Sequence, residues 1–229
     1  MNRKFKSDIP ANVVEQTIRE FRREGGAIYH RLTNCVLNGA VVGQRAYNEE
    51  GQLISETPLR NGTKHGREFQ WDDDGRLSLI EPYVDGKVHG TAKQYGRQGT
   101  VIGTYKLRHG TGYDIWRNEN EDGASYISEI LSLRDGLRHG YDWRLTSNLH
   151  ILWHELHWHE GKCHGIERCW NAAHKLCRGF PRYWIKGERV SKRKYLQEAK
   201  KDLTLPPSRL KDNSPRRKFP FAIEQLFSA

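Results

Sequence analysis

The chain has 229 residues, a formal net charge of +10, 36% hydrophobic residues, 22 glycines and 7 tryptophans. This composition favours a β-rich protein packed through aromatic side chains, and it excludes a membrane-spanning helix because no apolar run approaches the ~20 residues that such a helix needs. The N-terminus is basic but lacks the apolar stretch of a signal peptide, so we expect a cytoplasmic protein whose four cysteines are reduced thiols.

An N-terminal helical cap is predicted for residues 1–30. A Ser-Asp-Ile-Pro sequence is a good helix start, because proline is favoured at the first helical position. Val14, Ile18 and Phe21 follow at helical spacing, and the glycine pair at residues 25–26 ends the pattern. One apolar stripe on a charged helix predicts a cap docked on the first repeat of the segment that follows, and a partner-binding helix is the alternative because both use the same amphipathic pattern.

A glycine then returns at intervals of 23 to 26 residues, from Gly39 to Gly187. Four units share one phrase, in which a turn glycine is followed by a His-Gly pair and then by Trp or Tyr. These repeat residues are Gly62, His65, Gly66 and Trp71; Gly86, His89, Gly90 and Tyr95; Gly136, His139, Gly140 and Trp143; and Gly161, His164, Gly165 and Trp170. Repetition at such a period predicts a stacked array, which we place at residues 31–189.

Each repeat predicts a β-hairpin. Asn-Gly and Asp-Gly pairs supply the positive φ that tight hairpin turns need, and side chains alternate after each His-Gly pair. A lone hairpin is barely stable, so the repeat aromatics are expected to form one buried row between neighbours. The recurring histidine is expected to hydrogen-bond a neighbouring turn, and the glycine after it to permit close backbone approach. The expected fold is mainly β: an elongated antiparallel hairpin array with an N-terminal helix, a short C-terminal helix and an extended tail.

These phrases resemble the MORN repeat in its bacterial variant, which combines an Asx-Gly turn, a His-Gly step, a Tyr or Trp and a second glycine turn. The resemblance covers about residues 36–189; the unit at Gly39 lacks the histidine and the unit at Gly110 is irregular. It implies a membrane-contact, partner-binding or scaffolding module. Many bacterial proteins with this variant are labelled antitoxins of toxin–antitoxin systems, and the variant carries no catalytic residues to transfer.

Histidines and cysteines crowd residues 150–177. Neutral imidazole and thiolate are the ligands that zinc prefers. His157 and His159 share one face of a predicted strand, and Cys163 lies in the following turn, so a zinc site at these three residues is one hypothesis. Against it, His164 occupies the His-Gly position of its repeat, and no Cys-x-x-Cys pair occurs.

The C-terminal segment, residues 190–229, differs from the array. Ser191 is a predicted N-cap of a short helix, and four prolines favour an extended path after it. Residues 181–219 contain 13 Lys and Arg against 4 Asp and Glu, a net charge of +9. Such charge attracts nucleic acid, acidic protein or anionic lipid, whereas a merely solvated tail is the alternative. The predicted partner-binding residues are Lys192, Arg193, Lys194, Arg216, Arg217, Lys218, Phe219 and Phe221.

The sequence shows no glycine-rich phosphate loop, no nucleophile elbow and no paired catalytic carboxylates outside turns. It therefore predicts a non-enzymatic interaction scaffold without a cofactor, and most specifically an antitoxin or immunity-type protein that holds a toxin or effector protein. A nucleic-acid-binding component acting through the basic C-terminal segment is the alternative. A zinc-binding protein centred on residues 150–177 is the second alternative.

Overall fold

A computed structural model describes residues 5–24, 26, 28–147 and 151–227. The protein is mainly β and divides into two compact units, Met1–Gly110 and Thr111–Ala229. Within the described residues, no helix is long and apolar enough to cross a membrane.

The first unit is an antiparallel sheet in which each long strand pairs with the next long strand along the chain. Its strands are β1 (Val14–Arg22), β2 (Ile28–Leu37), β3 (Ala40–Asn48), β4 (Leu53–Arg60), β5 (Thr63–Lys64), β6 (Gly66–Trp71), β7 (Leu77–Val84), β8 (Lys87–Val88), β9 (Gly90–Tyr95) and β10 (Val101–Arg108). The two-residue strands β5 and β8 precede a His-Gly step. After that step the chain returns to the same neighbour, so β4 also pairs with β6 and β7 with β9.

The predicted N-terminal helix is wrong: β1 occupies the middle of that segment and pairs antiparallel with β2. Residues 1–4, 25 and 27 of the predicted cap lie outside the described residues. Val14 and Ile18, which suggested a buried helical stripe, are exposed. Side-chain hydrogen bonds also hold the strand, because Glu15 accepts from Arg45 at 2.7 Å and from Thr33 at 3.1 Å. Cross-strand pairing therefore overrides the local helical spacing.

Residues 5–10 form an extended strap on the first sheet. The Phe5 ring lies 6.4 Å from the ring of Phe69, and Ile9 is buried. Asp8 accepts a hydrogen bond from the backbone N–H of Arg67 at 2.7 Å and forms an ion pair with the side chain of the same arginine. The segment before β1 thus covers a sheet face as an irregular strap rather than as a helix.

The second unit repeats the antiparallel arrangement and adds helices at its C-terminal end. Its strands are β11 (Thr111–Glu119), β12 (Ser125–Arg134), β13 (Leu137–Leu145), β14 (Leu152–His159), β15 (Lys162–Cys163), β16 (Gly165–Cys169), β17 (Arg182–Ile185) and β18 (Glu188–Val190). The helices are α1 (Lys192–Glu198), a 3-10 helix (Leu210–Asn213) and α2 (Phe221–Phe227). A core cluster joins strands to the tail through Ile166, Tyr183, Tyr195 and Leu205.

The hairpin turns confirm the sequence reasoning. The residue before each repeat glycine has a positive φ: Asn61 at 52°, Asp85 at 49°, Asp135 at 54° and Glu160 at 49°. The glycines themselves follow at 75–83°. Two successive residues with positive φ give the turn whose twist matches that of paired strands, and this fixes the repeat period.

The single buried row of repeat aromatics is only partly correct. Trp143 and Trp170 are buried, but Trp71 and Tyr95 are half-buried, and Phe69 fills the core of the first unit instead. Trp71 is the last residue of β6, just beyond a register shift after Gln70, and Tyr95 is the last residue of β9. A side chain at the end of a strand is buried only where another segment covers it, as the C-terminal tail covers Trp170.

Candidate functional site

The repeat histidines join each turn to the next. Backbone N–H groups donate to histidine Nδ1 atoms in three repeats: Asp85 to His65 at 3.4 Å, His109 to His89 at 3.1 Å and Lys186 to His164 at 3.0 Å. In the irregular unit the hydroxyl of Thr111 takes this role, accepting from Asp135 at 3.0 Å. The predicted hydrogen bond between histidine and a neighbouring turn is therefore present at His65, His89 and His164, where it joins turns of the sheet. At His139 it is not formed, because Nδ1 of that histidine is buried without a hydrogen-bond partner among the described residues.

The glycines after the histidines lie where chains approach closely. Gly66 has a φ of 108°, and a Cβ added there would lie 2.9 Å from Cγ of Pro58. Gly165 has a φ of 148°, and its Cβ would lie 2.7 Å from Cβ of His157. Both positions need glycine for its backbone conformation and for its lack of a side chain.

The three predicted zinc ligands have other contacts. His157 Nδ1 donates to the carbonyl oxygen of His164 at 2.6 Å, and the His159 ring lies 4.8 Å from the ring of His139. Cys163 lies opposite Trp158 in the β14–β15 pair. Within residues 5–24, 26, 28–147 and 151–227, no three His, Cys, Asp or Glu side chains are grouped so that they could hold a metal ion. Residue 150 of the predicted zinc region lies outside that part of the chain.

The C-terminal tail is anchored by the buried carboxylate of Glu155, which is 2% exposed. Trp143 Nε1 donates to it at 3.0 Å and Arg168 Nη1 at 2.8 Å, both from the sheet. Arg217 of the tail donates to its two oxygens at 2.8 and 3.0 Å. Phe219, two residues after Arg217, packs edge-on against Trp143 with ring centroids 5.2 Å apart. Two of the predicted partner-binding residues, Arg217 and Phe219, are therefore committed to contacts within the chain.

Further contacts hold the rest of the tail on the second unit. Trp170 Nε1 donates to the carbonyl oxygen of Asn213 at 2.7 Å, and the Leu152 N–H donates to that of Pro215 at 3.1 Å. In the loop after α1, the Thr204 hydroxyl lies 2.9 Å from Nε2 of His164. Because Nδ1 of this histidine accepts from Lys186, Nε2 carries the proton and donates to Thr204.

The remaining predicted residues are exposed in the C-terminal segment, and so are the side chains of Leu203, Leu210 and Phe221. We call this set of exposed residues the C-terminal surface and define it by Lys192, Arg193, Lys194, Arg216, Lys218, Leu203, Leu210 and Phe221. Its apolar members are 96% exposed at Leu203, 85% at Leu210 and 76% at Phe221. In the described part of the chain its basic members form no ion pair, so their charges are free for a partner.

A groove of about 470 Å³ runs beside α1 within this region, lined by Lys192, Arg193, Leu196, Gln197 and Lys200. Leu196 and Lys200 are not among the partner-binding residues predicted from the sequence. The signal was present for Leu196, because it follows Lys192 by four residues and so lies on the same face of α1, whereas Lys200 lies just beyond the end of the helix. The groove adds an apolar floor to the basic surface.

Helix α2 was also missed. It begins directly after Pro220, and the carboxylate of Glu224 accepts a hydrogen bond from the backbone N–H of Phe219 at 2.6 Å. A proline at the start of a helix and a glutamate whose side chain bonds back to the residues before it are both signals of a helix N-terminus. They are easily missed because the four prolines of the segment favour an extended path. The helix places Phe221 on the outside while Ile223 is buried.

Several titratable groups of the second sheet are shifted by burial. Burial raises the pKa of Asp142 to about 7, although Arg138 lies 3.1 Å away, and lowers the pKa of His157 and of His164. Each shift favours the neutral form of a group inside the sheet. These groups make the stability of the second unit sensitive to pH.

The chain matches no protein-family model and no curated protein. The resemblance to the MORN repeat therefore rests on the repeat phrases alone.

Proposed function

We propose that this chain is a non-catalytic interaction protein whose C-terminal surface binds an acidic protein. The observation that carries the proposal is the exposure of Leu203, Leu210 and Phe221 in a C-terminal segment whose five exposed cations form no ion pair within the described residues. Exposed apolar side chains grouped on a folded surface are typical of binding sites. The role as an antitoxin or immunity-type protein, which would make the partner a toxin or effector, comes from the MORN resemblance.

The anchoring of the tail supports binding by this surface. A flexible tail loses conformational entropy when a partner orders it, and that loss weakens the complex. Here Arg217, Phe219 and the Trp170–Asn213 hydrogen bond already hold the backbone on the sheet. Arg216 and Lys218, the exposed cations on either side of Arg217, are thus presented at defined positions before any partner arrives.

The apolar residues favour protein over nucleic acid. Single-stranded nucleic acid is bound by aromatic rings on which bases stack. The most exposed apolar side chains here are two leucines, Leu203 and Leu210, with Phe221 as the aromatic member. Leucine fits an apolar pocket of a protein but offers no stacking plane. Acidic side chains around such a pocket would complement the surrounding lysines and arginines.

The test uses the full chain as bait in an extract of its source cells, followed by binding kinetics with the purified partner. The surface variant neutralises three cations of α1, Lys192→Gln, Arg193→Gln and Lys194→Gln. A matched control removes the same charge from exposed positions of the first unit, Lys93→Gln, Lys106→Gln and Arg108→Gln. We expect the surface variant to lower the association rate at least tenfold at low salt, because charge pairs across an interface steer association. The control should bind as the wild type does.

Nucleic acid is tested in parallel with duplex and single-stranded oligonucleotides. For nucleic acid, the logarithm of affinity would fall linearly with the logarithm of salt concentration, with a slope of about 0.9 per phosphate neutralised on duplex DNA. Such a slope, lost in the surface variant alone, would replace the protein partner by nucleic acid. Equal losses in the surface variant and the control would contradict a specific role for the C-terminal surface.

A further inference from the structure

Two cysteine thiols lie next to each other in the second unit. Cys169 is the last residue of β16. The chain then turns back in a short hairpin, and Cys177 lies on the returning arm beside Cys169. Their sulfur atoms are 3.3 Å apart, and the Cys177 N–H donates to the Cys169 carbonyl oxygen at 2.9 Å. Trp170 and Leu176, the next residues inward, form an antiparallel bridge. This register places the two cysteines directly opposite each other.

We propose that Cys169 and Cys177 form a reversible disulfide by exchange with a small disulfide such as glutathione disulfide. Directly opposed residues of an antiparallel pair have Cα atoms about 4.5–5.5 Å apart, which lies within the span that disulfides bridge. A sulfur–sulfur bond is about 2.0 Å long, so the two atoms need to approach by little more than an ångström. A change of that size is available from rotation of the two side chains without moving either backbone segment.

The reaction is a pair of thiol–disulfide exchanges. The Cys177 thiolate attacks one sulfur of glutathione disulfide, whose sulfur–sulfur bond breaks and releases one glutathione thiolate. Cys169 then loses its proton and attacks the Cys177 sulfur of the mixed disulfide, which releases the second glutathione thiolate. The two thiolates take up the two protons, so two electrons pass from the protein dithiol to glutathione disulfide and the products are one protein disulfide and two glutathione thiols.

The environment favours Cys177 as the first nucleophile. Burial, together with the hydrogen bond between the thiols, raises the pKa of Cys169 to about 11, which disfavours its thiolate. Cys177 is half-buried and is followed by the exposed residues Arg178 and Gly179, on the side from which a small disulfide can approach. Neither of the other cysteines offers a competing pair, because Cys35 is fully buried in the first unit and Cys163 faces Trp158 across its strand pair.

The disulfide would close the hairpin that supports the C-terminal tail. Trp170 lies at the base of this hairpin, where its Nε1 donates to Asn213 and its ring lies 5.3 Å from the guanidinium of Arg217. A bond between Cys169 and Cys177 would join the two arms of the hairpin next to the Trp170–Leu176 bridge, and so would restrict the backbone that carries Trp170. We therefore expect oxidation to hold the tail more firmly, an effect that is independent of what the C-terminal surface binds.

The test is intact-mass and peptide mass spectrometry of the folded full chain after incubation with glutathione disulfide. The expected product has lost two hydrogen atoms and yields one linked peptide pair containing Cys169 and Cys177. Cys163→Ser should give the same product. Cys177→Ser should not give this product. In that variant Cys163 and Cys169 should remain as thiols or carry glutathione adducts. A link through Cys163, a stable glutathione adduct on the wild type, or no reaction in excess oxidant would overturn the proposal.

Limited trypsin digestion tests the effect on the tail. We expect cleavage after Arg216 and Lys218 to be several-fold slower in the oxidised wild type than in the reduced wild type, and the difference to disappear in Cys177→Ser. Equal rates in the oxidised and reduced wild type would show that the disulfide does not support the tail.

Discussion

Arg217 of the C-terminal tail and Glu155 of strand β14 form a two-point ion pair, with Nε–Oε2 at 2.8 Å and Nη2–Oε1 at 3.0 Å. The carboxylate is buried and also receives Arg168, so it is paired with two cations. A buried charge is tolerated only when it is paired and hydrogen-bonded. The ion pair therefore holds the basic C-terminal segment on strand β14 at Arg217.

Arg217→Ala should destabilise the second unit by about 2–3 kcal/mol, below the 3–5 kcal/mol typical of a broken buried pair because Arg168 still neutralises Glu155. Lys218→Ala is the matched control at the adjacent exposed position and should change stability by less than ~0.5 kcal/mol. Urea denaturation followed by tryptophan fluorescence measures both. Identical midpoints for the two variants would contradict the anchoring role of Arg217.

Phe69→Ala should cost about 3–5 kcal/mol, as for other buried aromatic residues, whereas Trp71→Ala should cost clearly less. Both residues lie on β6, but Phe69 is 1% exposed and Trp71 is half-buried at the end of the strand. Thermal melts of the two variants compare them directly. A larger loss of stability in Trp71→Ala than in Phe69→Ala would show that the repeat aromatic Trp71, and not Phe69, is the main core residue of β6.

Gly66→Ala should destabilise the first unit more than Gly75→Ala. Both glycines have positive φ, so both substitutions carry a backbone cost of roughly 1–2 kcal/mol. At Gly66 the new Cβ also meets Pro58, whereas at Gly75 nothing lies within 4 Å. The difference in unfolding free energy should therefore be about 1–3 kcal/mol, the usual cost of overpacking. No difference would mean that the His-Gly step does not require close packing.

Stability of the second unit should fall as the pH drops below about 6.5, the ordinary pKa of histidine. The folded-state pKa of His164 is lowered by burial, so the folded protein binds fewer protons than the unfolded chain there. The contribution of His164 to the free energy of unfolding is complete above the pKa that this histidine has in the unfolded chain. It is lost as the pH falls through the lower pKa of the folded protein. Protonation also removes the Nδ1 acceptor used by Lys186. His164→Gln should flatten the decline in unfolding free energy measured between pH 7 and pH 5.

Asp142 acts in the opposite direction, because burial raises its pKa from 3.8 to about 7. The folded protein binds more protons at this residue, so its contribution falls as the pH rises from about 3.8 to 7. Asp142→Asn removes that opposing slope, and the loss of stability on acidification should then be steeper than in the wild type. A shallower loss would contradict the raised pKa of Asp142.

The sequence predicts local features well and distant contacts poorly. The turns at Asn61 and Asp85 and the role of His65 follow from positive φ and from a repeated spacing, which are properties of a few neighbouring residues. Strand β1 could not be recognised, because Val14 and Ile18 fit a helical stripe and the pairing with β2 is a tertiary choice. The Glu155–Arg217 pair joins residues 62 apart in the sequence, and nothing local distinguishes Arg217 from the exposed Arg216.

The most direct test of the proposed function compares two leucine substitutions in the full chain, measured as dissociation rates from the purified acidic partner. Leu203 belongs to the C-terminal surface, whereas Leu137 lies on β13 outside it and is also exposed, at 51%. If Leu203 anchors the partner, Leu203→Ser should raise the dissociation rate about tenfold, equivalent to roughly 1.4 kcal/mol, and Leu137→Ser should leave it unchanged. Equal rates for the two variants, or a larger effect at Leu137, would contradict binding through the C-terminal surface.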